Sequence, residues 1–365
     1  MRKKFTLSLI VIFVFSLFIM QGCGKNEESE VIKIGAILPL SGPGSDFGNY
    51  IKEGINLATE EINRETNKKI EIIYEDSKNE PKLGINSYIK LINTEKPIAT
   101  VIALSSVAKA LAPFSKKAET IQMYIAVAIP DITDGDYRFR IYPEAYGMAG
   151  KMAKYSIQQL NAKSAAIIYI NDDFGRTSLE AYTSTFNNLG GKIIFSESYE
   201  LTQLDYKNQL IKLKDIKPAP DVIYLNGYGP AYSNIVKQIS ELNIKALLTA
   251  DMTLGLPVTQ KQVGSASNGA YFVDGKMSKV FSDKFKKKYD KEATSYAGYA
   301  YDTINMVYSV LKNKDININI LKEGLRNIQN YKGAMGDISI KKNGDSNLEF
   351  VIKQIKNGNI KIIEE

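Results

Sequence analysis

Residues 31–65 read VIKIGAILPLSGPGSDFGNYIKEGINLATEEINRE. The stretch changes its period twice. Val31–Leu38 is a short apolar run rich in β-branched residues, and by length and content it predicts a buried strand. The next residues, PLSGPGSDFG, are a glycine-rich loop. From Asn49 onward Ile51, Ile55, Ala58 and Ile62 recur at helical spacing, with charge on the other side. A buried strand, a glycine loop and an amphipathic helix make the opening of a β-α-β unit, whose next strand pairs in parallel.

The same alternation continues toward the C-terminus. KIEIIYED (69–76), PIATVIAL (97–104) and QMYIAVAI (122–129) read as further strands. PKLGINSYIKLINTE and SSVAKALAPFSKKAET read as the helices between them, the second with Val107, Leu111, Phe114 and Ala118 on one face. A second series starts near residue 144. Its strands are SAAIIYIN, KIIFSESYE, DVIYLNG, KALLTAD and GAYFVDG, and its helices include GRTSLEAYTSTFNNLG and PAYSNIVKQISELN. Two such series predict two α/β lobes, each a doubly wound parallel sheet. Residues 277–330 read as helical. The C-terminal segment carries hairpin signals at Asn343-Gly344 and Asn357-Gly358.

Toward the N-terminus, Arg2, Lys3 and Lys4 precede the apolar run FTLSLIVIFVFSLFIM. Sixteen residues of helix span about 24 Å, short of the roughly 30 Å of a bilayer core. A basic start, a short apolar body and Gly22 before Cys23 predict a cleaved signal peptide over 1–22. A cysteine following an uncleaved anchor helix is the alternative. Residues 23–30 then form a solvated tether. Residues 1–22 hold three of the 47 basic residues and none of the 40 acidic ones, so the remainder carries +4. These charges are interspersed, unlike the clustered basic face of a nucleic-acid binder. Cys23 is the chain's one cysteine and there is no histidine. An internal disulfide, the usual zinc sites and histidine-assisted nucleophiles are therefore excluded. No metal and no cofactor is expected.

In parallel sheets, ligands bind beyond the carboxyl ends of the strands. Those ends hold the glycine loop with Phe47, the pair Ser105-Ser106, the turn Val127-Ala128-Ile129, Phe174, Tyr228 and Asp251. No G-x-x-x-x-G-K-[ST] motif is present, which weakens a nucleotide reading. A serine opening a helix suits a carboxylate. Each residue taken singly reads as well as an ordinary cap or a loop aromatic.

In order, AILPLSGPGSDFG, ALSSVAKALAP, AVAIPDIT, INDDFGRT, YLNGYGP and TADMTLG resemble the ligand-binding segments of bacterial leucine/isoleucine/valine-binding proteins. These are the substrate-binding components of branched-chain amino-acid ABC importers. The resemblance covers about residues 31–360. The N-terminal segment is similar to a lipoprotein signal, which makes Cys23 the lipidated residue. The resemblance implies a type I periplasmic-binding fold, with two lobes joined by a three-stranded hinge. Lobe 1 would comprise 31–143 plus 276–334, and lobe 2 would comprise 144–275 plus 335–365. Crossovers would lie near 141–145, 273–277 and 333–337. It implies that Ser105 and the 127–129 turn hold a carboxylate. Asp251 and a backbone carbonyl would hold an ammonium. Phe47, Phe174 and Tyr228 would flank the ligand, and Tyr296 would close its side-chain pocket.

The departures concern the ligand. Ile129 stands where the family has threonine, Phe47 and Phe174 replace tyrosines, and Asp251 is one methylene shorter than the usual glutamate. The pattern implies a monomeric, lipid-anchored, extracytoplasmic protein that captures an amino acid and hands it to an ABC permease. A ligand sensor of the same fold, feeding a receptor, is the second reading, and an enzyme on a two-lobed scaffold the third. If Cys23 carries the lipid, a fatty-acid analogue should label the wild type in cells and should not label Cys23→Ala; equal labelling of the two would exclude Cys23 as the attachment site.

Overall fold

The computed structural model describes residues 30–364. The expected signal peptide, Cys23 with its lipid, and residues 23–29 of the tether lie outside the described residues. The first sheet takes β1 (Val31–Leu38), β2 (Lys69–Asp76), β3 (Ala99–Ala103), β4 (Ile121–Ile125) and β5 (Arg138–Arg140) in the order β2-β1-β3-β4-β5. All its pairs are parallel. Every residue of β3 and β4 is buried. That is why these segments read as unbroken apolar runs and not as alternating ones. β5, with the sequence RFR, went unrecognised in the sequence, because two arginines in three residues hide a strand.

The second sheet contains β6 (Ser164–Ile170), β7 (Lys192–Tyr199), β8 (Val222–Asn226), β9 (Leu247–Ala250) and β10 (Tyr271–Gly275), again paired in parallel. From β10 the chain returns to the first sheet's side through the helices Lys279–Tyr289, Ser295–Leu311 and Ile318–Arg326. The helix Ser295–Leu311 lies against Ser45–Glu65 at a place where only glycine fits. A Cβ on Gly54 would sit 2.1 Å from the carbonyl oxygen of Ala297. A small sheet of β11 (Tyr331–Gly333), β12 (Gly336–Ile340) and β13 (Ser346–Asn347) follows. The chain then adds β14 (Phe350–Lys356) and β15 (Asn359–Glu364), antiparallel, to the second sheet. The turn between them has Asn357 at φ 52° and Gly358 at φ 76°. Two positive φ angles are what a two-residue hairpin turn requires.

The chain therefore passes three times between the large sheets. The first two passages follow β5 and β10. The third comes after Asn347, later than the expected 333–337. Residues 331–347 stay with the first lobe because several bonds tie them there. The carboxylate of Asp302 accepts hydrogen bonds from the N–H groups of Ala334 (2.6 Å) and Met335 (2.8 Å). Arg140 N–H donates to the Gly344 carbonyl at 2.9 Å. Arg140 itself is fully buried. Its Nε donates to Asp345 at 2.8 Å and its Nη2 to Glu144 at 2.5 Å. Its Nη1 donates to the carbonyls of Val127 (3.2 Å) and Ile129 (2.6 Å). Arg140→Ala would leave Asp345 buried without its cation. The expected loss is about 3–5 kcal/mol of unfolding free energy, read from urea midpoints at unchanged slope. Adding Asp345→Asn should recover part of it, whereas a loss below about 0.5 kcal/mol, the level of an ordinary surface change, would show that the cluster is not a structural anchor.

Candidate functional site

The carboxyl ends of both large sheets face one another across a cleft. It is lined by Phe47, Leu104, Ser105, Ala126, Ala128, Tyr142, Asp172, Phe174, Tyr228, Thr253 and Tyr296. On the first-lobe side, β3 and β4 end in residues with left-handed backbone, Leu104 at φ 77° and Ala126 at φ 55°. Non-glycine residues rarely adopt this conformation, and it clusters at ligand clamps. The turn beyond β4 is held from behind. Arg140 takes the Val127 and Ile129 carbonyls, and the Ala145 N–H donates to the Ala128 carbonyl at 2.9 Å. From within, the Ala128 N–H donates to Ser105 Oγ at 3.1 Å. Ser105 thus accepts from the turn and keeps its own hydroxyl hydrogen to donate.

The second-lobe wall starts from the helix Asp173–Asn188. Its N-cap is Asp172, whose Oδ1 accepts from the Gly175 N–H at 2.8 Å. Gly175 is required there, since a Cβ would meet the Ile170 carbonyl oxygen at 1.8 Å. Asp172 Oδ2 accepts from the Tyr228 hydroxyl at 2.8 Å. That hydroxyl in turn accepts from Asn79 Nδ2, on the first lobe, at 3.2 Å. Burial holds the Asp172 carboxyl above its ordinary range and pushes the Tyr228 hydroxyl well up. Aromatic contacts also cross the gap. Phe47 meets Tyr228 edge-on at 5.5 Å and stacks on Tyr296 at 5.3 Å, and Tyr296 stacks on Tyr142 at 5.9 Å. At the rim, Lys109 of the first lobe pairs with Asp173 of the second at 3.1 Å.

A cleft between two parallel-sheet lobes, joined by three passages and met by strand ends from both sides, is the architecture of solute-binding proteins. A model of the family described as periplasmic binding protein matches residues 31–359. The chain belongs to that family. Among curated relatives, a Leu/Ile/Val-binding protein homolog from Brucella melitensis is 23% identical over 250 residues, which is 67% of each chain. A leucine binding protein, LivK, from Thermotoga maritima superposes with a TM-score of 0.84 at 25% identity, covering 91% of this chain and 97% of that one. An ABC transporter solute binding protein from R. palustris, in complex with benzoate, superposes with a TM-score of 0.85 at 17% identity, covering 92% and 96%. These relatives are solute-binding proteins. Among the described residues, no helix is long and apolar enough to cross a membrane, and no group of three or more His, Cys, Asp or Glu could hold a metal ion.

In this periplasmic binding protein, Phe47, Ser105, Ala128, Phe174, Tyr228 and Tyr296 line the cleft together. Four other expected residues do not. Ser106 is not among the lining residues, and Val127 and Ile129 are buried with their carbonyls on Arg140. Asp251 lies beneath the wall, 1% exposed. Its carboxylate caps the turn Met252–Gly255, accepting from the N–H groups of Thr253 (3.0 Å) and Gly227 (2.8 Å) and from Asn226 Nδ2 (3.0 Å). The lining residues missed in the sequence include Tyr142, Asp172 and Thr253. Asp172 and Thr253 sit inside segments already singled out, INDDFGRT and TADMTLG, so alignment with a strand end was the signal. Tyr142, in a passage between lobes, gave none.

Burial pushes the Asp251 carboxyl up to about 7, from an ordinary 3.8. Between those values the folded protein holds a proton that the unfolded chain has lost, so this contribution is full below pH 4 and falls as pH rises through about 7. The stability cost of Asp251→Asn in the ligand-free protein should therefore be larger at pH 5 than at pH 8, measured by urea melts at each. A cost that grows with pH would mean that Asp251 is stabilised as the charged form instead.

Proposed function

We propose that this protein captures a small amino acid, branched-chain or related, between its lobes and delivers it to an ABC import permease. In this reading the chain works as an extracytoplasmic monomer anchored through a lipid on Cys23. The observation that carries it is the cross-lobe construction of the cleft. Ser105 and the 126–128 turn come from one lobe, Asp172, Tyr228 and Thr253 from the other, and Phe47 touches Tyr228 between them. A ligand held there contacts both lobes at once, and so favours the state in which they meet. The Ser105 hydroxyl suits the ligand carboxylate. Phe47, Phe174, Tyr228 and Tyr296 supply an apolar enclosure for its side chain. The names and bound ligands of the relatives support the class. The same capture step could feed a receptor in place of an importer, and a permease and ATPase encoded beside the gene would favour the importer.

A second reading has its own observation. Phe47 and Phe174 present bare rings where tyrosine hydroxyls are the family pattern, and an aromatic acid would fill such an enclosure; the R. palustris neighbour is in complex with benzoate.

Purified protein should be screened against the twenty amino acids and benzoate by thermal shift, then titrated by calorimetry. A ligand at 100 times its Kd adds about 2.7 kcal/mol of apparent stability. One amino acid is expected to bind saturably without being consumed. Its carboxamide should bind at least about tenfold more weakly, a loss of about 1.4 kcal/mol. Equal binding of acid and amide would remove the carboxylate from the reading, and turnover of the ligand would remove the binding-protein reading altogether.

A further inference from the structure

The charge in the cleft is one-sided. Among the described residues that line it, Asp172 is the one that carries a formal charge, and none is lysine or arginine. The nearest cations are all engaged elsewhere. Arg140, behind the floor, is matched by Asp345 and Glu144, and Lys109 and Arg176 at the rim are both paired with Asp173. Asp172 receives only neutral donors, the Gly175 N–H and the Tyr228 hydroxyl, one on each oxygen. A carboxylate offers about four acceptor positions, so half of its capacity is unused. Burial holds its carboxyl above the ordinary range, and the Arg176 charge, itself paired with Asp173, offsets this only in part. Around it stand the rings of Phe47, Tyr142, Phe174, Tyr228 and Tyr296, whose faces attract cations. Asp251 differs in being walled off from the cleft, with three donors already on its carboxylate.

We infer that Asp172 receives the ligand's ammonium group, and that the cleft thereby selects amino acids against carboxylic acids that lack one. This rests on the proposed capture of an amino acid and names the residue that enforces it. An ammonium supplies the missing countercharge and up to three donors for the unused acceptor positions. An anion without it enters a partly desolvated site facing Asp172, with no cationic side chain in the lining to offset the repulsion.

The test is a set of calorimetric titrations on wild type, Asp172→Asn, Asp172→Ser and Asp251→Asn. The probes are L-leucine, L-isoleucine, L-valine and L-phenylalanine, each beside its deaminated acid (4-methylpentanoate, 3-methylpentanoate, 3-methylbutanoate and 3-phenylpropanoate), together with benzoate. Asparagine and serine both retain an N-cap acceptor for Gly175, so the helix start survives the loss of charge. The readout is the affinity ratio between an amino acid and its deaminated partner on one protein sample, which cancels any change in the folded fraction. Wild type should bind at least one amino acid about 30-fold or more tighter than its partner, the low end for a desolvated charge pair. In both Asp172 variants the ratio should fall below about threefold, less than 0.7 kcal/mol. Asp251→Asn should leave it unchanged. A ratio that persists in both Asp172 variants, or that collapses in Asp251→Asn, overturns the assignment while amino-acid capture stands. Benzoate or a deaminated acid binding wild type as tightly as any amino acid overturns the selectivity. If none of the four amino acids binds, the capture reading falls and this inference falls with it.

Discussion

One buried guanidinium fixes the floor of the cleft. Arg140 reaches the Val127 and Ile129 carbonyls, Glu144 in the first passage between lobes, and Asp345 shortly before the third. The cleft turn, the first passage and a segment 205 residues away in sequence are thereby set relative to one another by a single planar group. A lysine could not replace it. Its ammonium has three donors at one point, whereas arginine spreads five over a rigid fork. The cost of burying such a charge is high, and it is met here by two carboxylates and by backbone carbonyls. Pairs of this kind add little net stability, and their value lies in fixing geometry. The turn beyond β4 is short and lies outside the strand ladder. With its carbonyls drawn back toward Arg140, it presents its other edge to Ser105.

The opposite wall is built on a different principle. Its order comes from packing, from the carboxylates of Asp172 and Asp251 that cap its helix and its turn, and from one hydroxyl. Tyr228 touches Phe47 through its ring, while its hydroxyl accepts from Asn79 of the first lobe and donates to Asp172 of its own. An aromatic pair is worth about 0.5–1.5 kcal/mol, and the rim pair Lys109–Asp173, well exposed, adds under about 1 kcal/mol. Contacts of this size can bias the two lobes toward meeting without locking them together. That suits a site that must also release what it holds, because a ligand shifts such an equilibrium only by its differential affinity for the two states.

Much of this was legible in the sequence where local pattern and burial agree. The strand Val31–Leu38 and the stripe Ile51, Ile55, Ala58, Ile62 folded as read, since each satisfies one period, although the helix starts at Ser45, inside the segment read as loop. QMYIAVAI was legible only in part. Its strand stops at Ile125, because Ala126 turns left-handed and the last residues become the cleft turn. Apolarity alone cannot show where a buried strand ends. β5 was invisible for the converse reason, since its buried Arg140 is paired with a carboxylate that sequence distance conceals. Asp345 lies 205 residues from Arg140. Asp251 was read from its place after a strand, which is correct as a position but silent about direction. Its carboxylate turned inward to three donors, while Asp172, two residues before the aromatic that drew attention, reached the cleft.

The substitutions that set this chain apart take on a different weight in three dimensions. Ile129 costs the site no hydroxyl that the cleft would feel, because its side chain is buried and its carbonyl belongs to Arg140. Phe47 is another matter. Its ring lies between Tyr228 and Tyr296, stacked on one and edge-on to the other. A tyrosine hydroxyl there would have to find a partner inside an aromatic cluster or leave a polar group unsatisfied, which typically costs about 1–3 kcal/mol. Removing it leaves the contact of Phe47 with Tyr228 purely one of rings. In the proposed capture of an amino acid, the polar recognition then falls to fewer groups, namely Ser105 and the turn on one side and Asp172 and Thr253 on the other. With fewer polar groups, each would carry a larger share of the selectivity, and in the inferred assignment the sign of the one charge among them sets which head groups the cleft admits.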